Sequence, residues 1–152
     1  REGNPKAFDF PRAWMDESWD FSFSGLKTAV MRAVKQRFPE WDTDRDTASV
    51  DLPVADLAAS FQAAIIEVLT EKSVQAAEKH KVAAVLISGG VSANQALCTA
   101  IAERAGELPV YYPPRQLCTD NAAMIAAAGY RRYQAGQRDG WDLDVRPTWP
   151  LL

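Results

Sequence analysis

The sequence predicts an α/β layered domain, in which helices alternate with strands. Three observations carry this prediction: a long stretch of helical periodicity from Pro53 to about His80, an almost uninterrupted apolar run at Val82–Ser88, and a second helical stretch after it. A chain of 152 residues with 47% hydrophobic content is long enough for one globular domain with its own core.

The first forty residues predict a lead-in followed by one helix. Residues 1–20 contain Pro5 and Pro11 and show no clear periodicity, which favours extended coil with at most a short strand. Ser22 or Ser24 can cap a helix that runs to about Arg37 and ends at Phe38-Pro39. Its apolar stripe is Leu26, Val30, Ala33 and Val34.

A polar loop and a long helix follow. Residues 41–51, with the preceding Glu40, hold four aspartates but lack the glycine and the late glutamate of a calcium loop, so we expect a solvated loop. The long helix starts at Pro53, and Lys79-His80-Lys81 places cations at its C-terminal end, which the helix dipole favours. The single histidine, His80, is therefore expected to belong to the helix end rather than to a site. The apolar stripe is Leu57, Phe61, Ile65, Val68 and Leu69.

The second half predicts two strand–helix units and a tail. The run Val82–Ser88 is typical of a strand buried on both faces of a sheet, and a helix opened by Ser92 and closed at Gly106 follows it. Residues 109–112 predict a short strand. Thr119 or Asp120 then caps a helix to about Ala135, whose small residues allow close approach to its neighbours. We expect residues 140–152 to form an extended surface tail.

Composition excludes several classes of protein. No run reaches the roughly 18 apolar residues of a membrane-spanning helix, no N-terminal signal pattern is present, and the two cysteines, Cys98 and Cys118, do not suggest a disulfide framework. A cytoplasmic protein without membrane contact is therefore expected. The net charge of −3 argues against bulk-charge binding to nucleic acid.

Positive charge is nevertheless clustered in two places. One cluster is Lys27, Arg32, Lys35 and Arg37, and the other is Arg131, Arg132 and Arg138. Each is either a solvated helix face or a surface that contacts phosphates of an RNA or an adjoining subunit.

Candidate ligand-binding residues lie where the predicted strands end. Gly89 and Gly90 follow a strand and precede a helix, a junction that presents backbone N–H groups to an anion but that is also a common structural turn. Asp120 is either a helix cap or a carboxylate ligand at the carboxyl edge of the sheet. Asn94, placed in the first helical turn after the glycines, is either a surface residue or an amide that contacts a nucleotide.

Three segments, Phe21–Lys27, Gly89–Asn94 and Cys118–Ala126, together resemble the tRNA N6-adenosine threonylcarbamoyltransferase family, formerly called O-sialoglycoprotein endopeptidases. The resemblance runs from about Gly3 to the 146–152 tail. It implies the C-terminal lobe, residues 1–152, of a two-lobed protein, with a ribonuclease-H-like fold and added helices of the sugar kinase, heat-shock chaperone and actin superfamily. The N-terminal lobe and its His-x-x-x-His metal motif are absent from this sequence, which has one histidine.

The resemblance implies transfer of a threonylcarbamoyl group from its adenylate to N6 of the adenosine beside the tRNA anticodon. It assigns Asp120 to a divalent metal, iron or zinc, shared with the other lobe, and Asn94, Gly89 and Gly90 to the adenylate. It implies tRNA, a homologous non-catalytic subunit and a small ATPase as partners. The isolated lobe is expected to be inactive.

Alternative functions remain open from the sequence alone. The chain can be a non-catalytic lobe that binds a nucleotide or a partner, or a hydrolase or glycoprotease as the family was once described. Ser22, Ser24 and Lys27 either start a helix or orient substrate or RNA phosphate, and their spacing does not indicate a Ser–Lys nucleophile.

Overall fold

The computed structural model describes residues 3–14, 18–41 and 50–144. Four α-helices and two short strands lie in these ranges: α1 Ser24–Arg37, α2 Val54–His80, β1 Val85–Leu86, α3 Gln95–Ala105, β2 Val110–Tyr111 and α4 Ala122–Gln134. Single 3-10 turns at Gly90–Ala93 and Arg115–Leu117 precede α3 and α4. Most of the polar loop 41–51 and of the tail 140–152 lies outside the described residues. The mixture of helices with a small parallel sheet confirms the α/β class.

Helix α2 is the centre of the fold, because its 27 residues reach both hydrophobic clusters. At one end, Leu57 and Ala64 pack with Phe10 and with Leu26 and Val34 of α1. At the other end, a second cluster joins α2 to α3 through the buried side chains Val74, Leu97 and Ile101. Phe61, expected in the apolar stripe, is instead 37% exposed, because it faces a groove rather than another helix.

The backbone of the lead-in is hydrogen-bonded to side chains of α2. Residues 3–14 and 18–20 form neither helix nor strand. The amide of Phe8 donates to Oγ of Ser60, which in turn donates to the carbonyl of Asn4. Gly3 lies so close to α2 that a Cβ there would overlap the carbonyl oxygen of Ala55. The lead-in therefore packs along α2 without regular structure of its own.

Lys72 holds the segment that precedes α1. Its side chain is buried, and Nζ donates to the carbonyl oxygens of Ser18, at 2.9 Å, and of Asp20, at 2.5 Å. The ammonium group also lies 5.3 Å from the ring centre of Phe21. A buried cation needs such partners, because desolvation without them is costly.

The strands differ from the prediction. β1 and β2 pair in parallel, with Val85 opposite Val110 and Leu86 opposite Tyr111. The expected strand Val82–Ser88 is reduced to two residues, and the expectation that it is buried on both faces is wrong, since Leu86 is 77% exposed. The physical reason is that α2 and α3 cover only the face of Val85 and Ile87, while no described element covers the other face.

Three helix starts also differ. The first residue of α1 is Ser24, and its N-cap, Phe23, makes no side-chain capping bond; the hydroxyls of Ser22 and Ser24 bond to each other instead. Asn94 rather than Ser92 caps α3, since the chain first makes a 3-10 turn, and Asn121 rather than Thr119 or Asp120 caps α4. Asparagine caps helices as well as serine, threonine or aspartate does, and at both starts it stands one or two residues after the predicted cap. The ends at Arg37, His80 and Gly106 agree with the prediction.

Helix α4 shows the largest difference in packing. Its small residues were expected to allow close contact with neighbours, yet none of its residues is buried. Ile125 and Tyr133 remain 66% and 60% exposed. Within the described ranges, no element covers the apolar side of this helix.

Candidate functional site at the ends of the parallel strands

The backbone conformation of the turn after β1 requires glycine at position 89. Gly89 has φ 84° and ψ 177°, a region that is essentially restricted to glycine. The hydroxyl of Ser92 donates to the carbonyl of Gly89 at 2.6 Å, and Sγ of Cys98 donates to the carbonyl of Ser92 at 3.2 Å. This chain of bonds ties the glycine turn to the first turn of α3.

The turn after β2 meets the glycine turn around one pocket. Gly89, Gly90, Thr119 and Asp120 line a cavity of about 430 Å³, with Ser88 at its edge. Both turns follow the carboxyl ends of parallel strands, which is where open α/β sheets bind ligands. The structure thus brings together three of the residues singled out in the sequence, Gly89, Gly90 and Asp120.

Asn94 occupies a neighbouring cavity rather than this pocket. Its Oδ1 accepts bonds from the amides of Ala96 and Leu97, and its Nδ2 donates to Oε1 of Gln62 at 3.1 Å. Asn94 lines an apolar groove of about 850 Å³ between α2, β1 and α3, and Ser88 lines both the groove and the smaller pocket. Its capping role is therefore a finding, whereas its contact with a nucleotide stays a prediction.

Two further residues shape this region: Gln62, and Thr119, which the sequence suggests only as a helix cap. Gln62 holds the amide of Asn94, and it could have been noticed as a polar residue beside Phe61 and Ile65 on the groove side of α2. The methyl group of Thr119 lies 4.0 Å from the position that a Cβ on Gly90 would take, so it forms the wall opposite the glycines. Only the folded chain reveals that contact, because the two residues are far apart in sequence.

Cys98 and Cys118 are free, buried thiols that flank the two turns. Sγ of Cys118 lies 3.6 Å from the carbonyl oxygens of Pro113 and Pro114, in the loop that leads to Thr119. Burial raises the pKa of Cys98, and the nearby thiol of Cys118 raises it further. Cys98 is therefore suited to holding a turn rather than to nucleophilic chemistry.

The residues described do not by themselves complete a metal site. Asp120 is exposed and lines the pocket, and no group of three histidine, cysteine or acidic side chains comes together within the described ranges. A single carboxylate is too few ligands for iron or zinc.

A model of the tRNA N6-adenosine threonylcarbamoyltransferase family matches residues 1–127, which include the segments Phe21–Lys27, Gly89–Asn94 and Cys118–Ala126. The chain belongs to this family. It is 48% identical to the tRNA N6-adenosine threonylcarbamoyltransferase of Thermomicrobium roseum, 47% identical to that of Geobacillus kaustophilus and 45% identical to that of Moorella thermoacetica. Each match covers 99% of this chain and 43–44% of the relative, so the chain spans less than half the length of these threonylcarbamoyltransferases.

No helix within the described residues combines the length and the apolar character needed to cross a membrane.

Proposed function

We propose that this chain forms part of an enzyme that transfers a threonylcarbamoyl group to N6 of an adenosine in tRNA, the adenosine beside the anticodon. The observation that carries the proposal is the convergence of the Gly89–Gly90 turn and the Thr119–Asp120 turn on one pocket at the ends of two parallel strands. The family match and the names of the relatives support this reaction rather than a hydrolase or glycoprotease.

The donor in this proposal is threonylcarbamoyl-adenylate, and the pocket holds its adenylate part. Glycine at 89 and 90 lets the backbone approach a phosphate closely, because no Cβ intervenes. Asn94, on the far side of Ser88, is proposed to contact the same nucleotide. It is already held by Gln62, which fixes the direction of its amide.

The transfer is a simple exchange of bonds at the carbamoyl carbon. N6 of the adenosine forms a C–N bond, the bond from that carbon to the phosphate oxygen breaks, and AMP leaves with the electron pair while N6 releases a proton to water. The exocyclic amine is a weak nucleophile, so the main contribution of the site is to hold the two reactants in line.

Asp120 is proposed to provide one ligand of a divalent metal, iron or zinc, whose other ligands come from outside the described residues. Such a metal would supply Lewis-acid chemistry at the donor. In this proposal the chain is the C-terminal lobe of the enzyme, with a ribonuclease-H-like fold and added helices, and the enzyme works in the cytoplasm with a homologous non-catalytic subunit and a small ATPase.

The test is modification of tRNA by the full-length protein, with these partners added. Incubation with tRNA transcript and threonylcarbamoyl-adenylate, followed by mass spectrometry of the nucleosides, should show the mass gain on adenosine. We expect Asp120→Ala to lower the rate about a hundredfold or more, as when a group that stabilises the transition state is lost. Asp139→Ala, a carboxylate outside the pocket, serves as the matched control and should modify tRNA at the wild-type rate. Equal rates for both variants would remove Asp120 from the mechanism.

A further inference from the structure

Helix α1 carries a positively charged side that the pocket does not use. Its 14 residues contain four cations and no acidic residue in its first turn or elsewhere in the segment Ser24–Arg37. Lys27, Arg32 and Lys35 are all exposed. This local excess stands out in a chain whose net charge is −3.

These three cations share one side of the helix. At 3.6 residues per turn they fall within about 140° of the helix circumference, and Lys27 and Lys35 are about 12 Å apart along the axis. The buried residue Leu26 lies on the opposite side, and the buried Val34 lies just beyond the edge of the basic side, next to Lys27. Both pack in the cluster that contains Phe10 and residues of α2. We call Lys27, Arg32 and Lys35 the basic face of α1.

The charges of the basic face are not neutralised within the described residues. The ion pairs found there belong to Arg12 and Arg104. The fourth cation of the helix, Arg37, is separate from this face, because its guanidinium lies 5.4 Å from the ring centre of Phe8.

The second cluster of cations is of a different kind. Arg138 stacks on the ring of Tyr133 at 3.6 Å and donates to backbone carbonyls. Arg132 and Arg138 also share a cavity with Asp139, Asp142 and Asp144, so acidic side chains surround them. That cluster is balanced in charge, and the basic face of α1 is not.

We propose that the basic face of α1 binds the phosphate backbone of the RNA substrate. Charge complementarity supports this partner, because lysine and arginine on an exposed helix neutralise phosphates. Between these cations the face carries two polar residues, Ser24 and Thr28, one apolar residue, Met31, and no aromatic residue, whereas the centre of a protein–protein interface is depleted of lysine and rich in aromatic residues.

The position of α1 relative to the pocket fits this role. Phe23, the residue before the helix, lines the same groove as Asn94 and Ser88. RNA held along α1 therefore passes beside the groove that adjoins the proposed adenylate pocket. The inference rests on the proposed function for the identity of the RNA, which is tRNA.

The test measures binding of unmodified tRNA transcript to the full-length protein over a series of KCl concentrations. The variant is Lys27→Gln/Arg32→Gln/Lys35→Gln. Each phosphate contact contributes about 0.7–0.9 to the slope of log affinity against log salt, so we expect the slope to fall by about 2–3 and the affinity at physiological salt to fall roughly ten- to a hundredfold. Because the three side chains are exposed, the thermal midpoint should stay at the wild-type value.

Two controls make the result specific. Lys6→Gln/Lys81→Gln/Arg131→Gln removes the same charge from other exposed positions and should leave the slope close to that of the wild type. Lys27→Arg/Lys35→Arg keeps the charge and should bind tRNA as the wild type does. An unchanged slope in the α1 triple variant, or an equal loss in the charge control, would overturn the proposal, and an acidic protein partner would then be the better candidate.

The tRNA-binding test and the tRNA-modification assay test different claims, and either one can fail while the other succeeds. If the wild type modifies tRNA and the α1 variant binds it with an unchanged slope, only the basic face is refuted. If the wild type binds RNA through α1 but modifies no adenosine, the proposed transfer is refuted and the basic face stands as an RNA-binding surface.

Discussion

Helices α3 and α4 are built alike and packed differently. Each follows a parallel strand and a 3-10 turn. Each is also capped by an asparagine, Asn94 in α3 and Asn121 in α4, whose side chain accepts hydrogen bonds from backbone N–H groups. Yet α3 has three buried residues, of which Leu97 and Ile101 pack against α2, while α4 has none. Local sequence is thus enough to start and end a helix, whereas packing depends on a surface that another part of the chain must offer.

This difference matters for the candidate site, because the pocket lies between the two units. The wall formed by Gly89 and Gly90 is backed by α3 and by the buried thiol of Cys98. The wall formed by Thr119 and Asp120 leads into α4, which no described element covers. We therefore expect the first wall to be held rigidly and the second to depend on what covers α4.

The largest expected effect comes from truncating one isoleucine in each helix. Ile101 in α3 is 3% exposed, and Ile125 in α4 is 66% exposed. Ile101→Ala should lower the free energy of unfolding of this chain by about 2–5 kcal/mol, because it leaves a cavity between α2 and α3. Ile125→Ala should change it by less than about 0.5 kcal/mol. Urea unfolding followed by circular dichroism measures both, and similar losses would show that α4 is packed after all.

A smaller effect is expected from removing each helix cap. Asn94→Ala should lower the free energy of unfolding by about 1 kcal/mol, since the amides of Ala96 and Leu97 lose their acceptor. Asn121→Ala should instead fray α4 and speed amide hydrogen exchange there, with little change in the midpoint of global unfolding.

The Asn94→Asp variant distinguishes the contribution of the α3 cap to stability from that of the hydrogen bond to Gln62. The carboxylate keeps the acceptor but loses the donor at Nδ2. We expect it to retain most of the stability that Asn94→Ala loses. A loss as large as that of Asn94→Ala would mean that the contact with Gln62, and not the cap, stabilises the start of α3.

Sequence alone could predict what depends on neighbouring residues. The ends of α1 at Arg37 and of α2 at His80 follow from residues within one turn, and the structure confirms them. The exposure of Leu86 and of α4 could not be predicted, because burial depends on which distant elements cover a face. A continuous apolar run does not reveal whether that cover is present.

The same limit applies to the site. Glycines after an apolar run indicate a ligand-binding turn, and the family motifs single out Asp120, so these residues were found without the structure. That Gly90 faces Thr119, and that Asn94 lies in the neighbouring groove bonded to Gln62, follows only from the packing of α2 against α3.

The most direct test of the proposed adenylate pocket is calorimetric titration of AMP into the full-length protein and two glycine variants. Gly89 and Gly136 have similar positive φ values, 84° and 81°, but only Gly89 lines the pocket. An alanine strains the backbone at either position. We predict that Gly89→Ala weakens AMP binding roughly tenfold or more, a loss of about 1.4 kcal/mol per factor of ten, and that Gly136→Ala binds AMP like the wild type. Equal affinities in all three proteins would contradict the assignment of the adenylate to this pocket.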